Sequence, residues 1–96
     1  MNKMNKEEFK MKAKKSIDDI FAKIDVLEAK KDKVKEEVKA EYEEKINNFK
    51  TKKKELQAKY DALVNTSDEK WEEVKSTFSS ATESFKEGFS KIESLI

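Results

Sequence analysis

Ninety-six residues allow at most one domain, and a chain that is 45% charged and 35% hydrophobic is too lean in apolar side chains for a thick globular core. It has no Cys and no His, which excludes disulfides, thiolate chemistry, imidazole metal sites and a histidine pH switch. All 22 basic residues are Lys and are balanced by 21 acids, so there is neither a guanidinium fork for phosphate nor a net field toward nucleic acid.

Residues 1–6 (Met1-Asn2-Lys3-Met4-Asn5-Lys6) are polar, lead into no signal-peptide apolar stretch, and are expected to fray. From about Glu7 the period is helical, with Glu7 and Glu8 suited to the positive end of the helix dipole. Ala13, Ile20, Leu27 and Val34 recur in seven-residue steps, and Ile17, Ile24, Lys31 and Val38 form the companion line. Phe9, Phe21 and Val26 widen this stripe beyond what a two-stranded pair needs. Past Val34 the register slips, because Val38, Tyr42 and Ile46 follow at steps of four before the stripe resumes through Phe49, Lys53, Leu56, Tyr60 and Leu63. Such a slip alters supercoiling and predicts a straightened or mildly bent stretch around 38–46. No stop signal interrupts residues 7–64, so a single helix of about 58 residues, roughly 87 Å long, is the favoured reading.

The clear break is Asn65-Thr66-Ser67-Asp68, where Thr66 and Glu69 have the spacing of a capping box. The helix that follows carries the most regular pattern in the chain. Trp71, Phe78, Phe85 and Ile92 recur every seven residues, each followed three residues later by Val74, Ala81, Gly88 or Leu95. Bulk on one line and small side chains on the other imply a closely packed partner helix that supplies bulk opposite the gaps.

The predicted fold is all-α, one coiled-coil domain over 1–96. It is a long antiparallel hairpin, with a helix over about 7–64, a turn at 65–68 and a helix over about 67–95. Its packing seam is Ile17, Ile20, Ile24, Leu27, Val34, Val38, Tyr42, Ile46, Phe49, Leu56, Tyr60 and Leu63 against Trp71, Val74, Phe78, Ala81, Phe85, Gly88, Ile92 and Leu95. The second helix reaches back only to about Val38, leaving the stripe from Phe9 to Val34 without cover in its own chain. A hairpin of that shape has to form a homodimer or tetramer, or take up another helical protein. A three-helix bundle broken near 30–33 removes the mismatch. It stands second because Glu28-Ala29-Lys30-Lys31-Asp32-Lys33 holds no turn chemistry.

Other features read mostly as helix surface. Lys31 and Lys53 sit on the seam, where their stems pack while the ammonium groups reach water. The Lys10–Lys15 run is flanked by Glu7, Glu8, Asp18 and Asp19, which weaken its field toward anionic lipid. The many carboxylates alternate with Lys along the helices as in solvated faces, and no metal, cofactor or catalytic constellation emerges. Ser and Thr are dense between Ser76 and Ser94 and are candidate modification sites or small flanking residues. No stretch approaches the ~20 apolar residues of a membrane span, and a soluble cytoplasmic protein is expected.

With a Lys/Glu-rich helix followed by Lys70-Trp71-Glu72-Glu73-Val74-Lys75, Phe78 and Phe85, the chain resembles the small bacterial coiled-coil proteins grouped as a stress-response family. The resemblance spans about residues 5–95 and implies a cytoplasmic helical protein with no catalytic residue to carry over. The functional expectation is a non-enzymatic protein acting by self-assembly or helix-mediated partner binding, without nucleic acid. The alternative is a peripheral membrane-surface protein using Phe9, Ile17, Ile20, Phe21, Ile24 and the Lys10–Lys15 run.

Overall fold

The computed structural model describes residues 5–96 and is all-α among them. Three helices follow one another: α1 (Lys6–Ala29), α2 (Glu36–Asn65) and α3 (Trp71–Glu93). A 3-10 turn at Lys31–Lys33 separates α1 from α2, and another at Asp68–Lys70 leads into α3. Both connections are short, so each helix runs antiparallel to the next, and α1 and α3 are parallel. Phe9 packs edge-on to Trp71 near the starts of those two helices, and Lys23 pairs with Glu93 near their ends. The longest helix, α2, packs extensively against both others, and α1 meets α3 over less surface. The molecule measures 50 × 25 × 16 Å.

This is the three-helix alternative, and it corrects the continuous helix over 7–64. The chain leaves helical geometry at two residues, Val34 (φ −79°, ψ 142°) and Lys35 (φ −61°, ψ 145°). Nothing local demands the break, so its cause is tertiary. Folding back buries Ala13, Ile17, Ile20, Ile24 and Leu27 against the rest of the chain. At ~1.5–3 kcal/mol per fully buried aliphatic side chain, that burial is worth on the order of 10 kcal/mol as an upper figure. The few backbone hydrogen bonds given up at the break are worth about 1 kcal/mol each, so burial wins. The overhang that required a second molecule therefore does not exist. The stripe from Phe9 to Val34 is covered by its own chain.

Other boundaries shift for local reasons. Of the six residues expected to fray, 1–4 lie outside the described residues, while Asn5 and Lys6 are held. Asn5 caps α1, its side-chain oxygen accepting from the Glu8 N–H at 2.8 Å while its amide donates to the Glu8 carboxylate at 3.0 Å. Lys6 pairs with Asp68 and lies over the Trp71 ring, tying the start of α1 to the entry of α3. The neighbouring ammonium holds the Asp68 carboxyl below its ordinary range. The capping box expected from Thr66 and Glu69 does not form. The Thr66 hydroxyl faces the Ser67 carbonyl at 3.4 Å, and the chain enters α3 through the 3-10 turn instead. Val38, Tyr42 and Ile46, expected on a straightened or mildly bent stretch, lie on an uninterrupted α2.

One hydrogen bond clamps the α1–α2 connection. Tyr42, fully buried, donates its hydroxyl to the Leu27 carbonyl in the last turn of α1. Burial disfavours the phenolate and raises the Tyr42 pKa above its ordinary 10.0. Below pH 10 both folded and unfolded chains keep the proton. As pH climbs past 10 the unfolded chain ionises first, so the stability tied to a neutral Tyr42 is lost from there upward. Tyr42→Phe is expected to cost about 1 kcal/mol at neutral pH, because the Leu27 carbonyl keeps its bond from the Lys30 N–H. The gap between the two proteins should narrow above pH 10 in denaturant titrations. A gap that is constant across pH 8–11 would contradict this placement.

Candidate functional site

The predicted seam comes together as one core. Ile17, Ile20, Ile24, Leu27, Val34, Tyr42, Ile46, Phe49, Leu56, Leu63, Trp71, Phe78, Phe85 and Ile92 are buried. Val38, Tyr60, Val74, Ala81 and Leu95 are half-buried against them, and Gly88 lies against the Phe49 ring. Among the described residues no polar or charged side chain other than Tyr42 is buried, and no buried side-chain polar atom lacks a partner. Two core members fell outside the seam, Ala13 and Phe89. Phe89 packs on Phe49 at 5.0 Å and Phe85 at 5.9 Å between ring centroids, from the position one residue beyond the small line. Val26, expected to widen the stripe, is instead 49% exposed, because the adjacent α2 covers only the other side of α1.

The charged features resolve into surface. Lys31 leaves the seam at the helix break and is exposed, whereas Lys53 stays half-buried with its ammonium 4.7 Å from the Phe21 ring centroid. The basic run is partly neutralised, with Lys10 at 3.7 Å from Glu7 and Lys14 at 2.6 Å from Asp18. That hydrogen bond to Asp18 raises the Lys14 pKa. Thr77 and Thr82 donate to the carbonyls of Glu73 and Ser79, at 3.0 and 2.9 Å, which leaves Ser76, Ser79, Ser80, Ser84 and Ser90 as free exposed hydroxyls of α3. Among the described residues no three carboxylates converge as a metal site. None of the described helices is long and apolar enough to cross a membrane.

What the core leaves open is the outer groove between α2 and α3. Three shallow depressions run end to end along it. Leu56, Phe49, Phe85 and Ala81 form its floor. The α2 edge carries Lys45, Lys52 and Lys59 in seven-residue steps, and the α3 edge carries Ser80, Ser84 and Gly88, each four apart. Lys91 adds a fourth cation at one end, against Glu55 and Glu87 along the same strip. Small side chains on one wall and lysine stems on the other give a trough wide enough for a further helix to approach closely.

No family model, no curated protein and no solved structure matches this chain. The reading of the groove therefore rests on its own chemistry. The groove between α1 and α2 is larger and more apolar, but two of its lysines are already engaged. Lys50 pairs with Glu28 across it, and Lys53 lies over Phe21. The residues assigned to a membrane surface are turned inward, with Ile17, Ile20 and Ile24 buried and Phe9 and Phe21 half-buried against the core.

Proposed function

We propose that the protein is a non-enzymatic helical bundle that works by helix-mediated partner binding, with the α2–α3 groove receiving an amphipathic helix edged with acids. One observation carries this reading: a trough that is apolar over Leu56 and Phe85 and more polar toward both ends has a lysine row along one wall and small residues along the other. An incoming helix gains contact area from the small wall and charge complementarity from Lys45, Lys52 and Lys59. The same row disfavours a symmetric dimer through this face, since like charges would oppose one another. The resemblance over about residues 5–95 supports a cytoplasmic, stress-related setting for such a binder. Attachment to a membrane surface stands behind it, because the apolar face of α1 is already occupied by the core.

A synthetic heptad peptide with Leu at the seam positions and Glu flanking them is the probe. It should bind in fluorescence anisotropy, weaken as salt rises, and lose about tenfold in affinity on Lys52→Glu, the cost of roughly 1.4 kcal/mol at a rim charge facing its opposite. A version with Lys in place of Glu should not bind. Equal binding of both peptides, or of neither, would overturn the assignment.

A further inference from the structure

We propose that α1 is exchangeable between two copies of this chain. In the exchanged dimer the connector at 30–35 straightens, α1 and α2 join into one long helix, and each copy's α1 lies on the α2 and α3 of the other. The α2–α3 groove takes no part in the exchange and stays open in both forms.

The connector is the first observation. Lys30-Lys31-Asp32-Lys33-Val34-Lys35 contains neither Gly nor Pro, and no described residue has a positive φ. Lys30 is helical, Lys31–Lys33 form a 3-10 turn, and only Val34 and Lys35 are extended. Rotating two ψ angles completes a helix whose sequence already favours it. The break persists in a single molecule only because α1 must fold back to be buried. A second copy supplies the same burial without the break.

The contacts that hold α1 support the exchange. Phe9 on Trp71 and the Lys23–Glu93 and Lys50–Glu28 pairs join side chains of α1 to α3 or α2, and the Tyr42 hydroxyl of α2 reaches the Leu27 backbone carbonyl of α1. Each can form equally well with the α1 of the other copy. The exchanged dimer adds the backbone hydrogen bonds now missing across Val34 and Lys35. Because α1 and α2 are antiparallel, straightening both connectors sets the two long helices antiparallel about a twofold axis, a closed arrangement that stops at two chains. Four lysines and one aspartate per connector meet at that axis. Their repulsion opposes the exchange at low salt and is screened as salt rises.

The native Lys50–Glu28 pair is the reporter. Ordinary and 15N-labelled chains are mixed in denaturant, refolded together at millimolar concentration, and separated by size with light scattering. The dimer fraction is then treated with a zero-length carbodiimide, which joins that carboxylate and amine as an amide. Exchange predicts Glu28–Lys50 cross-linked peptides carrying both isotopes in the proportions of random pairing, and a dimer yield that grows with salt.

Lys35→Pro is the control variant. The φ of −61° suits a proline ring, none of the connector's backbone hydrogen bonds uses the Lys35 N–H, and Val34 is already extended as proline requires of its predecessor. Closed folding, checked by circular dichroism and melting, is kept. A proline inside the long helix disfavours the dimer roughly a hundredfold per connector. Cross-links confined to one isotope within the dimer fraction would mean that the copies meet through another face. That result, the absence of any dimer, or a Lys35→Pro protein that dimerises like the parent would each overturn the exchange.

Discussion

Phe85→Ala should remove about 3–5 kcal/mol of stability, the largest loss of any single truncation considered. The Phe85 side chain is 4% exposed and sits where α2 and α3 meet. Its ring stacks on Phe49 at 6.0 Å and tilts against Phe89 at 5.9 Å between centroids. Removing it deletes both aromatic contacts and leaves a void whose other walls are rings held on two separate helices. Such walls cannot collapse without moving a helix, so the cavity cost adds to the lost transfer energy. Native stability for a domain of this size is about 5–15 kcal/mol, so the variant should fall to the edge of folding at room temperature. Urea titrations followed by Trp71 fluorescence would measure the loss. A midpoint shift worth less than about 1 kcal/mol would show that the ring is not locked in the core.

The aromatic ladder was legible because position alone determined it. Trp71, Phe78, Phe85 and Ile92 follow one another at the period of a helix face, and all four are buried. Phe89 was harder to read, because its burial depends on a third helix that a hairpin does not have. The break at Val34 and Lys35 was illegible for the same reason. Local sequence there favours helix, and what overrides it is the burial of Ile17, Ile20, Ile24 and Leu27 on elements remote in sequence.

Two local signals share a spacing and differ in outcome. Asn5 followed three residues later by Glu8 is a helix start that was available to inspection, and it does cap α1. Thr66 and Glu69 carry the same spacing but do not cap, because a 3-10 turn intervenes. The groove was half legible. Lys45, Lys52 and Lys59 share the heptad spacing of the seam yet lie beside it, and only the packing of α3 on α2 shows that they border an open trough.

Gly88→Ala provides the sharper test of how closely α2 and α3 approach. On an open helix surface alanine would gain about 1 kcal/mol over glycine. Here a Cβ on residue 88 would lie 2.7 Å from Phe49 Cε1 and 3.1 Å from Cζ. Those atoms belong to a ring held between Phe85 and Phe89, so relief requires tilting the ring toward the groove or separating the helices. Overpacking of this kind costs about 1–3 kcal/mol against the gain of about 1 kcal/mol in helix propensity, for an expected net loss of up to about 2 kcal/mol. The sign should reverse once the ring is gone. With Phe49→Leu already in place, adding Gly88→Ala should raise stability by about 1 kcal/mol, because only the helix preference remains. Thermal or urea unfolding of the four proteins in this cycle measures both signs. If Gly88→Ala stabilises the parent as much as the Phe49→Leu protein, then the glycine is not what brings α3 onto the Phe49 ring, and close packing fails as the reason for a glycine inside α3.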